Sequence, residues 1–587
     1  MPLRKPNKRT KIVLIVVSAI VLILTVVGFR VAHHYKSIVK AKLPAAIEKA
    51  SEGRYKISAK RVYINLLNRS IILKDVHLWP DSTNMQKSIA DSTAQRHYYD
   101  IRIPKLKVSS IMWDELVGGT GFSCGLFEIT KPNIDILKLP KALSKNYAKK
   151  KRALSNNDIS ISDVQLLNGN IKYRIARDAD TPVLNFINTN IALNNWKYDP
   201  TGDNKGRFLL SDDGIVRVDS FRYNIPKSDY RFSVNNIELN SAEHKLTALD
   251  MKLGLTISTE EYFKHAKKES EIYDIHFPTF EANNIAWETL FADKKLLIET
   301  VYLNHININV LFNRLLPDNA DSKRGKYPNQ LLDKLKLPID IKTLHVNNGE
   351  IVYSEISDRT GKKGSIKFSE ASGLITNITN IPELIDSNNI CTVKLNGKFN
   401  TYSTIAANFR FVLGDKKGTF SVHTVLKNLQ AHQINEQSKV FTMIAIKSMN
   451  MHEMTMALEG NEDYAKSKFE MRYNNMSIQI LKDEQDEYGD TKKQGFLSFI
   501  ANNLILFSHN PMPGKPIRTV NTYVERDSLK SFFNLIWRNL HQGVQESTIR
   551  DMNVIRLMRK NQDQVFSSKE RKEEKRRNRK NKKRRKP

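Results

Sequence analysis

The side chains of this 587-residue chain that could do chemistry are of two kinds, and the catalytic kind is incomplete wherever it occurs. Gly361-Lys-Lys-Gly-Ser lacks the earlier glycine of a phosphate-binding loop and reads as a hairpin turn. His452-Glu453 lacks the second histidine that would complete a zinc-protease helix. Asp178/Asp180 and Glu462/Asp463 fall in expected loops without the ligand spacing of a calcium site. His33-His34 directly follows an apolar run and reads as interfacial. No G-x-S-x-G nucleophile elbow and no Cys/His zinc spacing occurs. The only cysteines, Cys124 and Cys391, could pair, but nothing in the sequence demands it. They read as small buried apolar residues. The sequence therefore predicts no enzyme: no catalytic residue, no metal and no cofactor.

The second kind binds anions. Net charge is +31, from 93 basic and 62 acidic residues. From Lys569 to Lys586 there are 13 Lys/Arg against 3 Glu, a local net of +10. Lys575, Arg576, Arg577, Lys582, Lys583, Arg584 and Arg585 are its densest part. Such a tail suits anionic lipid, lipopolysaccharide or peptidoglycan, at roughly 1 kcal/mol per basic residue near an anionic surface. It cannot bury a core and is expected to be disordered. Nucleic acid would need the body in the cytosol, and it is not expected as a partner.

Several elements must position these groups. The run from Ile12 to Phe29 is apolar apart from Ser18, Thr25 and Gly28, and as a helix spans about 27 Å, one hydrocarbon core. It lacks a convincing cleavage site and is read as an uncleaved anchor. A basic N-terminus (1–11), a transmembrane anchor (12–32) and a juxtamembrane helix (33–54) therefore precede the body. Arg4, Lys5, Lys8, Arg9 and Lys11 before the anchor are nearly balanced by Arg30, Lys36, Lys40 and Lys42 after it, so charge orients it weakly. The short N-terminus favours N-in.

From Tyr55 the apolar period becomes two, the strand signal. Ile57/Ala59, Val62/Ile64, Ile101/Ile103, Leu106/Val108, Ile159/Ile161, Val164/Leu166 and Ile171/Tyr173 alternate. Asn168-Gly169 and Asn348-Gly349 each lie between two such runs and read as hairpin turns. Ile111–Val117 and Ile285–Phe291 read as short helices inserted in the sheet, and Glu260–Glu271 as a further helix. Lys141–Leu154 and Pro317–Gln330 read as polar rims.

Three blocks recur in order. Asp75 reappears as Asp250, an offset of 175; Pro104 and Trp113 as Pro278 and Trp287, 174; Asn168-Gly169 as Asn348-Gly349, 180. The body then divides into β units at 55–229 and 230–392 and a distinct β region at 393–526. Near the end, Asp527 is placed to cap a helix over 527–550. Leu529, Phe532, Phe533, Ile536, Leu540 and Val544 share one face of it, with Trp537 at the edge. That helix either caps the open end of the sheet, the preferred reading, or lies in a membrane interface. The tail follows at 551–587. Alternation alone fits either a curled open sheet or a closed β-sandwich.

The chain resembles the AsmA-like family of bacterial envelope proteins. The resemblance rests on the anchor, the early strand pair at 57–78, and the block Ile103-Pro … Trp113 … Leu126-Phe-Glu-Ile-Thr-Lys-Pro-Asn-Ile-Asp-Ile. It extends through Gly418-Thr-Phe … Glu459-Gly-Asn-Glu-Asp-Tyr-Ala … Tyr473-Asn-Asn-Met-Ser-Ile … Asn510-Pro … Trp537 … Gly543. It implies a mainly β fold, a long curved antiparallel sheet forming an open groove. It also implies a single-pass inner-membrane protein with its bulk in the periplasm, which assists outer-membrane assembly or phospholipid transport. Phospholipid or another anionic lipid and envelope proteins would be its partners. Acyl chains would rest on Ile57, Ile64, Val108, Ile161, Leu166, Ile171, Phe409, Phe411, Ile444, Met456, Phe469 and Ile480. The alternative is a structural tether with a closed β body, gripping the cell wall or a partner through its basic tail.

Overall fold

The computed structural model describes residues 43–45, 47–65, 68–118, 121–144, 158–176, 182–199, 206–358, 360–481 and 506–550. The expected anchor, basic N-terminus, polybasic tail, His33, His34, Asp178 and Asp180 lie outside them. No helix among the described residues is long and apolar enough to cross a membrane. Residues 43–45 and 47–51 are helical, and Leu43 and Ile47 are buried against the first strands.

Alternating apolar side chains make this a mainly β protein, with all 21 strands of the described residues in one sheet. The first copy runs β1 (Tyr55–Asn65), β2 (Ser70–Pro80), α1 (Ser82–Ala90), β3 (His97–Ser109), α2 (Trp113–Gly118), β4 (Gly121–Thr130), β5 (Asn133–Lys138), β6 (Asp158–Ile175), β7 (Leu184–Tyr198) and β8 (Asp213–Asn224). The second repeats the first seven strands of that succession, with α5 and α6 added: β9 (Tyr230–Asn240), β10 (Lys245–Leu255), α3 (Thr259–His265), β11 (Glu271–Ile285), α4 (Trp287–Asp293), β12 (Leu296–Asn304), β13 (Asn307–Asn313), α5 (Pro328–Asp333), β14 (Ile339–Ile356), β15 (Lys363–Thr379) and α6 (Pro382–Ser387). The third region is β16 (Ile390–Phe399), β17 (Ser403–Val412), β18 (Phe420–Gln430), α7 (Ala431–Thr442), β19 (Ile444–Gly460), β20 (Tyr464–Ile480), β21 (Thr519–Glu525) and α8 (Phe532–Thr548).

Each strand pairs with its successor, with one departure per copy. β4 and β5 share a lane: both run antiparallel to β3 and parallel to β6. β12 and β13 do the same between β11 and β14. The sheet is therefore mixed, not wholly antiparallel as expected. The reason is that a parallel neighbour needs a long return before the next strand starts, which the link at 314–338 provides between β13 and β14. Among the described residues β1 pairs only with β2 and β21 only with β20, so the sheet does not close into a barrel.

The Asn-Gly pairs are not hairpin turns. Each sits inside a single 18-residue strand, β6 or β14, as a bulge. Asn168 and Asn348 have φ of 54° and 51°, a conformation that serves a bulge as well as a hairpin. What selects the bulge is the neighbouring lane. A Cβ on Gly169 would lie 3.1 Å from Pro132 Cγ, and one on Gly349 would lie 2.6 Å from Ile306 Cγ1. Both neighbours stand at the break between the two strands that share a lane.

These bulges belong to a crease across the sheet. By register Asp75 faces Pro104, Pro104 faces Lys131, and Lys131 faces Asn168. The second copy repeats this as Asp250, Pro278, His305 and Asn348. Asp75, Lys131, Asp250 and His305 have φ of 54°, 51°, 48° and 56°. Proline, which cannot donate to a ladder, is tolerated in a central strand because the crease interrupts pairing there. Each crease residue shifts the alternation by one. Ile71, Leu73, Val76 and Leu78 thus stay on one face of β2, and Ile101, Ile103, Leu106 and Val108 on one face of β3. The opposite face carries cross-strand ion pairs such as Arg217–Glu238 and Lys427–Glu453.

The C-terminal helix starts at Phe532, after Ser531, and not at Asp527. Asp527 Oδ1 accepts from the Leu529 amide at 2.9 Å, a local turn that keeps residues 527–530 out of the helix.

Candidate functional site: the apolar face of the sheet

Cross-strand partners place side chains on the same face, so register shows how far the apolar surface extends. Val62, Leu73, Leu106, Ile129, Leu166, Ile191, Val216, Leu239, Leu246, Ala282, Val301, Leu344, Ile375, Val393, Phe409, Val422 and Leu458 are successive partners. At roughly 4.8 Å per strand this unbroken ladder is about 75 Å long. Across the crease, on the same face, a second ladder runs Tyr99, Ile136, Tyr173, Leu184, Tyr223, Phe232, Leu253, Ile275, Ile308, Ile351, Phe368 and Phe399.

Burial varies along both ladders. On the first, Val62, Leu73 and Leu106 are buried at one end and Val422 and Leu458 at the other. Between them most members are half-buried, Ala282 and Val301 excepted. The second is half-buried from Tyr99 to Phe368 and buried at Phe399. Phe186, Phe221 and Phe232 form an aromatic cluster in this stretch, with ring centroids 4.8 and 6.3 Å apart. Burial raises the Tyr99 hydroxyl to about 12, as a low-dielectric surround requires.

Both ladders stop at a buried hydroxyl. Leu458 pairs with Ser467, whose Oγ lies 2.7 Å from Thr522 Oγ1. Thr522 donates to Asn539 Oδ1 of α8 at 2.9 Å. Phe399 pairs with Ser403, whose Oγ donates to Asn428 O at 3.0 Å and Gln433 Oε1 of α7 at 3.1 Å. α8 sits close on β20 because residue 543 is glycine: a Cβ there would be 2.5 Å from the Phe469 ring.

The link at 314–338 is more than the polar rim expected of Pro317–Gln330. It includes α5 and drives Tyr327, fully buried, into the C-terminal core against Phe420 and Phe532. The Arg526 guanidinium lies 4.2 Å from the Tyr327 ring centre and 2.6 Å from the buried Glu462. Glu462 Oε1 also accepts from the Gly325 amide at 2.9 Å. Lys530 pairs with Glu269, just ahead of β11, at 2.9 Å. This strap therefore ties the strand ends of the middle region to those of the last two strands.

The residues singled out from sequence separate into two groups. Ile57, Ile64, Leu166, Ile171, Phe409 and Ile444 are half-buried. Val108, Ile161, Phe411, Met456 and Phe469 are packed in the core. Ile480 pairs with Ile444 through the backbone. On α8, Phe532 is buried, and Ile536 and Leu540 pack against the same core. Phe533 and Trp537 face outward, 66% and 47% exposed. Cys124 and Cys391 are free and buried in different cores, their thiols raised to about 12 and about 11 by burial. Among the described residues no group of His, Cys, Asp or Glu is arranged to hold a metal. Arg526, Glu462 and Tyr327 carried no sequence signal, because their meeting depends on segments far apart in the chain. No protein-family model and no curated protein matches the chain.

Proposed function

We propose that this chain is an inner-membrane-anchored periplasmic protein of the AsmA-like kind whose creased sheet forms an open groove. Its non-enzymatic task is to assist outer-membrane assembly or phospholipid transport by hosting acyl chains. The supporting observation is the pair of unbroken apolar ladders on one face of a sheet whose two edge strands, among the described residues, each pair on one side only. Covering half-buried Ile, Leu and Phe with acyl chains removes apolar surface from water on both partners, at about 25 cal/mol per Å². The crease supports the groove, because bulges bend a sheet. Head groups would stay at the rim, and the basic tail would hold an anionic surface.

Mass spectrometry of the purified chain should find bound phospholipid, and the chain should move labelled phospholipid between vesicles. A lipid-free preparation that transfers none would reject the reading. A C-terminal reporter active only in the periplasm is expected, and activity in the cytosol would reject the topology.

A further inference from the structure

We infer that acyl chains occupy only the middle of the apolar face, from β5 to β15, and that the groove is a basin with a closed C-terminal end. This rests on the lipid-binding reading and adds where the lipid sits and how it leaves.

Three independent features close that end. The first ladder terminates in the Ser467–Thr522–Asn539 chain, whose members are 5%, 3% and 0% exposed. An acyl chain there would separate hydrogen-bonded groups and return nothing for them. The second ladder terminates in Ser403, fully buried and bonded beneath α7. The strap packs Tyr327 against both Phe420 and Phe532, which also touch each other, so the three rings already fill the space that cargo would need. At the other end Leu43 and Ile47 cover the buried start of the first ladder.

The half-buried stretch of the second ladder from β5 to β15, Ile136 to Phe368, is about 43 Å long at the usual strand spacing. One leaflet of a bilayer core is about 15 Å thick, so the basin holds about three acyl chains end to end. Lipid must therefore exchange sideways through the mouth of the middle strands, and cannot slide out past β21. The ligand class is a phospholipid recognised by its chains, in small fixed number.

The test keeps side-chain shape intact. Full chain is made with photo-leucine and photo-methionine throughout and equilibrated with phosphatidylethanolamine/phosphatidylglycerol vesicles. It is then irradiated, and lipid adducts are mapped by peptide mass spectrometry. Adducts are expected at Leu184, Leu246, Met251 and Leu253, and none at Met454, Met456 or Leu458. Equal labelling of both groups would overturn the closed end while leaving lipid binding intact. Labelling at neither group would overturn the lipid reading and this inference with it.

Discussion

The middle strands β6–β11 and the last strands β17–β21 use the same alternation of apolar and polar residues, yet on the middle strands the second ladder stays half-buried while the last strands are sealed. In the C-terminal region Met454, Met456, Leu458 and Phe469 are each at most 6% exposed, under α8 and the strap. In the middle region Tyr223, Phe232 and Leu253 remain half-buried, and among the described residues all strands belong to the one sheet, so no second sheet covers them. A strand pattern thus states which side is apolar and leaves open what covers it. Covering needs a partner element, and here both α8 and the strap come from outside the sheet.

This contrast can be broken or sharpened by substitution. The largest expected effect is at Phe469: Phe469→Ala should lower stability by about 3–5 kcal/mol, as in a closed core. Phe232→Ala in the middle should cost less, since part of its surface already meets water. Equal losses in chemical denaturation would erase the distinction. Next, Glu462→Ala leaves Arg526 buried without its counter-charge and should cost about 3–5 kcal/mol locally. Hydrogen exchange should then speed up across residues 314–338 and leave β6–β9 unchanged. Uniform exchange across the chain would show that the strap seals nothing.

Gly543→Ala forces a Cβ into the Phe469 ring and should cost about 1–3 kcal/mol, read as a lower melting temperature. An unchanged melting point would mean that α8 rests loosely on β20. The smallest effect is expected at the crease. Asn348→Val should cost about 1–2 kcal/mol, because a β-branched residue resists positive φ. Asn348→Gly should be nearly silent in the same thermal scan. If both substitutions were silent, the bulge would not hold the crease in place.

Much of the sheet was legible in the chain. Ile71, Leu73, Val76 and Leu78 show both the apolar face and the one-residue skip at Asp75. The short helices at Trp113 and Trp287 were placed correctly, as was the turn at Gly361. The Asn-Gly pairs misled because positive φ is the shared requirement of a hairpin and a bulge, and local sequence does not distinguish them. The helix start moved from Asp527 to Phe532 because an aspartate accepts equally well from a turn as from a helix N-terminus.

The sequence by itself determined the alternation, the duplication and the positions of Asn, Asp, Pro and Gly that must bend the strands, since these follow from side-chain pattern and allowed φ. Tertiary structure decided the parallel lanes, the alignment of separate bulges into one crease, and the sealing of one end with the middle left open. Each of those depends on which distant segments meet, as Arg526 meets Glu462 and Tyr327, and no local pattern encodes that meeting.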